Sequence, residues 1–323
     1  MAGLSALPSR EAGPVLAPGP ERRRPDAAVS GAPVAATGLT GLVGSRVAQL
    51  VPGWHALRCD VQDAEAVRRA VAQSPGAVVV HFAAFTDTNA AWAQRGDRDG
   101  ACYRVNVLGS RHVAAACRDA GKYLVHVSTD YVFDGTKEAL YTEDDAPRPL
   151  DWYGWTKYWA EQEVGQSGAA HLIARISFPY RAGYGRRQDV VRKILASLRA
   201  GRELRMFTDT LITPTFTDQL ARAFDRITAE RPRGVLHLAG AQALSPYELA
   251  RATARTFGLD QSLITPATLA SYASPDARPY ARHLNVSSAR AQEVLGGPFR
   301  SVTSSLAALH AQWASAAAGM ADT

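Results

Sequence analysis

Residues 33–51 read PVAATGLTGLVGSRVAQLV, and this stretch decides the fold. PVAAT is a short apolar run with the look of a strand, and LVGSRVAQLV reads as a helix. Between them stand Gly38 and Gly41, with Gly44 opening the helix. Glycines at that spacing permit a tight turn and let backbone N–H groups approach a pyrophosphate. The helix N-terminus that follows favours its negative charge. A glycine triple is weak in a chain with 26 glycines; its place between a strand and a helix is what carries the reading.

Outward from this stretch, short apolar runs alternate with helical periodicity. HALRC (55–59) reads as a second strand, AEAVRRAVAQ (64–73) as a helix, and AVVVHFAA (77–84) as a strand buried on both faces. A long helix over 101–120, the strand YLVHVS (123–128), a helix over 151–165 and the strand HLIARI (171–176) follow. Such alternation predicts right-handed βαβ units. The expected fold is α/β, a Rossmann-type doubly wound parallel sheet with a smaller C-terminal substrate domain. Residues 32–177 are expected to form the NAD(P)-binding Rossmann domain. Residues 178–323 are expected to form mainly the substrate-binding domain, with some segments returning to the Rossmann core.

Residues 1–31 are rich in Ala, Pro, Gly and Arg without apolar periodicity. They read as a disordered N-terminal extension, with none of the apolar core of a secretory signal. The 323 residues are 46% hydrophobic and 20% charged, ordinary for a globular chain. No run is long and apolar enough to span a membrane. Three cysteines, Cys59, Cys102 and Cys117, are too scattered for a disulfide framework or a metal site. A reducing, cytoplasmic setting is expected. The net charge of +6 is dispersed and accompanies no nucleic-acid motif.

A second stretch supplies candidate chemistry. STDYVFDG (128–135) ends a strand, and Tyr153 and Lys157 follow four residues apart. On a helix that spacing puts both on one face, one turn apart. A hydroxyl, a phenol and an ammonium can then converge on one carbonyl oxygen while a hydride attacks its carbon. Each residue alone has a plain reading: Thr129 ends a strand, Tyr153 packs, Lys157 is solvated. Their joint order with the glycine turn argues for function. In CDVQD (59–63), Asp63 caps the next helix, while Asp60 and the backbone of Val61 are placed to touch an adenine. Ala83 and Ala84 let the chain pass close to a ribose and nicotinamide. His126, flanked by valines, reads as a satisfied core residue.

TGLTGLVG, HFAAFTDTNAAW, RVNVLGS, VSTDYVFDG, YGWTK and ITPT follow in one order. With them the chain resembles the extended short-chain dehydrogenases/reductases, and within these the dTDP-4-dehydrorhamnose reductase group. The resemblance covers roughly residues 33–297. It implies a reductase of a 4-keto nucleotide sugar that uses NADP(H) or NAD(H). Thr129, Tyr153 and Lys157 match the catalytic hydroxyl, the proton donor and its lysine partner. Gly38, Gly41, Leu42, Val43 and Gly44 match the pyrophosphate loop. Asp60, Val61, Ala83, Ala84, Phe85 and Asn106 match further cofactor-side positions, joined by Tyr153 and Lys157. Asn106 corresponds to an Asn that helps place the catalytic helix. Thr86, Thr88, Asp130, Tyr131 and Phe178 match the substrate side. The implied partner is a nucleotide sugar, with a homodimer as the assembly and no nucleic acid, membrane or metal.

The chain departs from that group in several places. The segment between the first helix and CDVQD is short, and no residue there separates NAD from NADP, though Arg58 lies near. RISFPY (175–180) replaces a Trp-containing segment, TLITPT (210–215) another loop, and NAAWAQRGDRDG (89–100) an acidic cluster. The last three differences fall on the sugar side and bear on substrate more than on chemistry. Two other functions stay open. A nucleotide-sugar epimerase or dehydratase shares the fold, but a dehydratase tends to carry Asp-Glu where this chain has Asp130-Tyr131. A non-catalytic regulatory subunit, similar to that of methionine adenosyltransferase, would bind the cofactor without turnover.

Overall fold

The apolar run after Pro33 forms β1 (Val34–Thr37), with all four residues buried. The glycine turn leads from it into α1 (Leu42–Leu50). The computed structural model describes residues 32–185, 188–272, 277–297 and 299–321, so the expected N-terminal extension lies outside the described residues. β2 (Trp54–Ala56), α2 (Ala64–Gln73), β3 (Val78–His81) and α3 (Thr88–Ala93) follow. The long helix expected over 101–120 is interrupted. α4 (Ala101–Tyr103) and α5 (Gly109–Asp119) are joined by a π-helical turn, Arg104–Leu108. Such turns concentrate at functional sites. β4 (Tyr123–Thr129), α6 (Trp152–Gln166) and β5 (His171–Ile176) complete the first half.

The second half opens with β6 (Pro179–Tyr180), α7 (Val190–Arg199), β7 (Leu204–Phe207), β8 (Leu211–Ile212) and β9 (Thr215–Phe216). α8 (Thr217–Glu230), β10 (Gly234–Leu238), α9 (Pro246–Phe257) and β11 (Ile264–Ala267) come next. β12 (His283–Leu284), α10 (Ala289–Leu295) and α11 (Val302–Ala321) end the order. No helix among the described residues is long and apolar enough to cross a membrane.

Six strands form one parallel sheet in the order β2-β1-β3-β4-β5-β10. The chain leaves β1 toward β2 on one side and returns to β3 on the other. That reversal opens a crevice at the carboxyl ends of β1 and β3, where doubly wound sheets take their ligands. β2 is shorter than HALRC suggested, because its partner β1 turns away at the glycines and the last ladder bond is Leu57 N–H to Ala36 O, 2.8 Å. One face of the sheet packs Val43 and Val47 of α1 with Leu220, Phe224 and Ile227 of α8. The other packs Val67 and Val71 of α2, Val113 of α5 and Val164 of α6. A separate core joins α7, α9 and α11 through Val191, Ile194, Leu249 and Leu306.

Helix α6 is brought against the turn after β4 by a missing side chain. A Cβ on Gly154 would stand 2.2 Å from the Tyr131 carbonyl oxygen, a distance no packed atom tolerates. Asp151 caps the same helix end by accepting from Gly154 N–H at 2.8 Å. Gly154→Ala is expected to push α6 off the turn and lower stability by about 1–3 kcal/mol, the usual cost of overpacking. Urea denaturation checks this, and an unchanged midpoint would show that the contact is not limiting.

Candidate active site

The glycine turn is built by close approach. Gly38 has φ +69°, and a Cβ there would meet Ala83 N at 2.6 Å, so the turn passes directly over the chain leaving β3. At Gly44 a Cβ would stand 2.7 Å from Gly38 O. The N-cap of α1 is Gly41, which offers no side-chain acceptor, and the first turn carries no acidic residue. Orphan N–H groups at a helix start favour an anion. The cradle therefore fits the pyrophosphate of a dinucleotide.

Opposite the cradle, β4 ends at Thr129 and α6 presents Tyr153 and Lys157, all lining one cavity of about 630 Å³. Lys157 is 2% exposed. Its Nζ donates to Val127 O at 2.8 Å, its one hydrogen bond among the described residues. An ammonium has three donors, so two remain for oxygens brought into the cavity. Burial lowers Lys157 to about 8, with Glu161 opposing the shift. Ser128 Oγ, also buried and lining the cavity, has no partner among the described residues. These unmet donors fit a cofactor rich in hydroxyls.

The Tyr153 phenol is buried and lines the same cavity. Burial pushes its pKa up, and the strongest opposing influence is a hydrogen bond with Thr129. The hydroxyl thus keeps its proton through neutral pH, as a general acid must. Thr129 Oγ1 donates to Asp130 Oδ1 at 3.0 Å and accepts from Tyr131 N–H at 3.3 Å. Asp130 Oδ2 accepts from Ser177 Oγ at 2.6 Å.

The π-helical turn holds Asn106, 1% exposed. Its Oδ1 accepts from Phe85 N–H at 2.8 Å, and its Nδ2 donates to Phe85 O at 3.1 Å and Thr156 Oγ1 at 2.9 Å. Thr156 in turn donates to Tyr153 O at 2.8 Å. One side chain therefore ties the loop after β3 to the helix carrying Tyr153 and Lys157.

Of the site residues that the resemblance implied, all line the cavity except Asp60, Val61, Phe85 and Asn106. Asp60 is exposed and accepts from the Gln62 N–H at 3.0 Å. Val61 packs in the core near α2 and α5. Phe85 and Asn106 satisfy one another instead of reaching the lining. Asp63 caps α2, accepting from Glu65 and Ala66 N–H. His126 is fully buried as expected, but neither ring nitrogen has a partner among the described residues. Phe178 lines the cavity with a left-handed backbone, φ 36°, held where its carbonyl accepts from Thr215 N–H at 3.2 Å. A non-glycine residue there is strained, and strain of this kind clusters at ligand sites.

The sequence reading missed Tyr184, Gln188, Asp189 and Val190, which line the cavity from the segment after β6. Tyr184 Oη donates to Thr40 O at 3.1 Å, tying that segment to the cradle. The signal was available: in a doubly wound sheet, chain that leaves the carboxyl end of a strand beside the crevice belongs to the site. Asp151 was missed as well; it pairs with buried Arg278 at 2.7 Å.

The cradle asks for a dinucleotide and the facing hydroxyls for a carbonyl; the class is an NAD(P)-dependent oxidoreductase of Rossmann type. Within it, the chain belongs to the RmlD substrate binding domain family, matched over residues 33–314. It is 32% identical over 272 residues to dTDP-4-dehydrorhamnose reductase of Mycolicibacterium smegmatis, covering 81% of this chain and 80% of that one. It is 28% identical over 252 residues to methionine adenosyltransferase 2 subunit beta of Rattus norvegicus, covering 72% and 74%. The crystal structure of dTDP-4-dehydrorhamnose reductase from Bacillus anthracis in complex with NADP superposes with a TM-score of 0.79. That match has 23% identity and covers 87% of this chain and 99% of that one.

The depressed Lys157 gives a pH test. Folded, it titrates near 8 against an ordinary 10.5, so between those values the unfolded chain binds more protons and stability rises with pH. Lys157→Met removes that contribution. The stability of the parent relative to Lys157→Met should climb by on the order of 3 kcal/mol across the window. Parallel urea-midpoint profiles for the two proteins would refute the buried-ammonium assignment.

Proposed function

We propose that this protein reduces the keto carbon of a 4-keto nucleotide sugar, as a dTDP-4-dehydrorhamnose reductase does, with NADP(H) or NAD(H) as the hydride source. The observation that carries the reading is the meeting of the glycine cradle with Thr129, Tyr153 and Lys157 on one cavity. The family supports it, as do the names of its relatives.

The pyrophosphate belongs on the turn Gly38–Gly44, beside Leu42 and Val43, and Lys157 holds a ribose hydroxyl with its remaining donors. Bound there, a reduced nicotinamide supplies the hydride. Tyr153 gives its proton to the carbonyl oxygen as negative charge grows on it. The phenolate left behind is costly in a buried site, and the Lys157 ammonium one turn along the helix stabilises it. Thr86, Thr88, Asp130, Tyr131 and Phe178 form the sugar side of the cavity. In this reading residues 32–177 chiefly hold the cofactor and 178–323 chiefly the sugar nucleotide. We assign the enzyme to the cytoplasm, as a homodimer.

The likeness to methionine adenosyltransferase 2 subunit beta favours a second reading, a regulatory subunit that binds the cofactor without turnover. NADPH oxidation with a 4-keto nucleotide sugar separates the two, and stable co-purification with a partner enzyme supports the second. Tyr153→Phe should lower kcat by about 10²–10⁴-fold while NADPH affinity, read by fluorescence titration, stays within a few-fold. A variant that turns over at the parent rate would sink the proton-donor role.

A further inference from the structure

We infer that Asp130 is a positioning residue that decides which way Thr129 directs its single proton, so that the carboxyl, and not the carboxylate, readies Thr129 to donate to the substrate's carbonyl oxygen. This deepens the reductase reading above and rests on it.

The argument is donor arithmetic in a closed site. Asp130 opens the short turn after β4 and is 2% exposed. Its Oδ2 accepts from Ser177 Oγ at 2.6 Å, and Ser177 is fully buried. Its Oδ1 accepts from Thr129 Oγ1 at 3.0 Å. A carboxylate can only accept, and a hydroxyl has one proton. While Asp130 is ionised, both neighbouring hydroxyl protons are therefore committed to it. Thr129 already accepts from Tyr131 N–H at 3.3 Å; with its one proton on Asp130 it can meet the Tyr153 phenol only as an acceptor, and has nothing left to donate into the cavity. Once Oδ1 carries a proton, the polarity reverses: Asp130 donates to Thr129, and the Thr129 proton is released toward the reacting oxygen. Ser177 continues to donate to Oδ2 in both states.

Both states are populated near neutrality. Burial raises Asp130 to about 7, and the hydrogen bonds from Ser177 and Thr129 offset only part of that. The titratable and charged groups around it are Tyr131 beside it, Tyr153 and Lys157 on α6, Asp151 at that helix's N-cap, and Arg278, which lies against Tyr131. Neither partner oxygen of Asp130 meets a cation among the described residues. Its proton is thus governed by burial, by two hydroxyls and by the backbone N–H groups of Asp130 and Tyr131.

The test compares kcat/KM of the parent and of Asp130→Asn from pH 6 to 9. In the variant, the amide oxygen accepts from Ser177 and the amide nitrogen donates to Thr129 at every pH. The ratio of variant to parent should therefore rise about tenfold per pH unit above the Asp130 midpoint. Ser177→Ala removes a donor that favours the carboxylate, and should move the parent's fall to higher pH. An isotope-edited infrared titration of the carboxyl band lost in Asp130→Asn reads the same proton with no substrate present. A flat ratio, an unmoved midpoint in Ser177→Ala, or a carboxyl band titrating in the ordinary carboxylate range each overturns the inference. If the parent oxidises no NADPH with any 4-keto nucleotide sugar, the reductase reading fails, while the infrared titration still decides the state of Asp130.

Discussion

The site depends on one charge kept out of water. Lys157 is almost wholly buried, bonded to a single carbonyl, and an ammonium in that position is expensive unless compensated. Compensation comes from further along the same helix. Glu161 is held by a bidentate pair with Arg175 of β5, at 2.9 and 2.7 Å, both side chains buried. Arg175 also donates to His237 of β10 at 3.4 Å, and burial beside that guanidinium lowers His237 to about 3, leaving its ring neutral. The cation at the cavity thus feels the field of Glu161, whose own pair with Arg175 reaches across to β10.

Two absences of side chain set the geometry around that charge. Without Gly38 the cradle could not lie on the chain after β3; without Gly154 the helix bearing Tyr153 and Lys157 could not lie on the turn bearing Asp130. Asn106 then fixes the spacing between these halves through Phe85 and Thr156. A π-helical turn is what aims it: one extra residue in the turn rotates its side chain off the regular face of the helix.

Much of this was legible in the chain itself. The strand-turn-helix at 33–51, the strand ending at Thr129 and the helix carrying Tyr153 and Lys157 were legible because each is a local pattern with its own period. What escaped were features set by distant neighbours. The shortened β2 follows from where β1 turns. The interruption at Arg104–Leu108 looks in sequence like the middle of a regular helix. Asp130 reads in sequence as a substrate-side residue after a strand, and only its enclosure by Ser177, far along the chain, makes it a buried acid. Tyr184 comes from a glycine-rich segment whose composition suggests no more than a loop.

The sixth strand has a consequence for how the protein is made. β10 completes the sheet by pairing with β5, yet it follows β5 only after a long excursion through β6 to α8. On the ribosome, the edge of β5 is left open while that excursion is synthesised, with its apolar ladder unmatched and Arg175 held by Glu161 but still without His237. Open edges of this kind invite pairing with other chains. The first half of the molecule is therefore not a finished unit when it emerges, and its safe passage depends on residues translated much later.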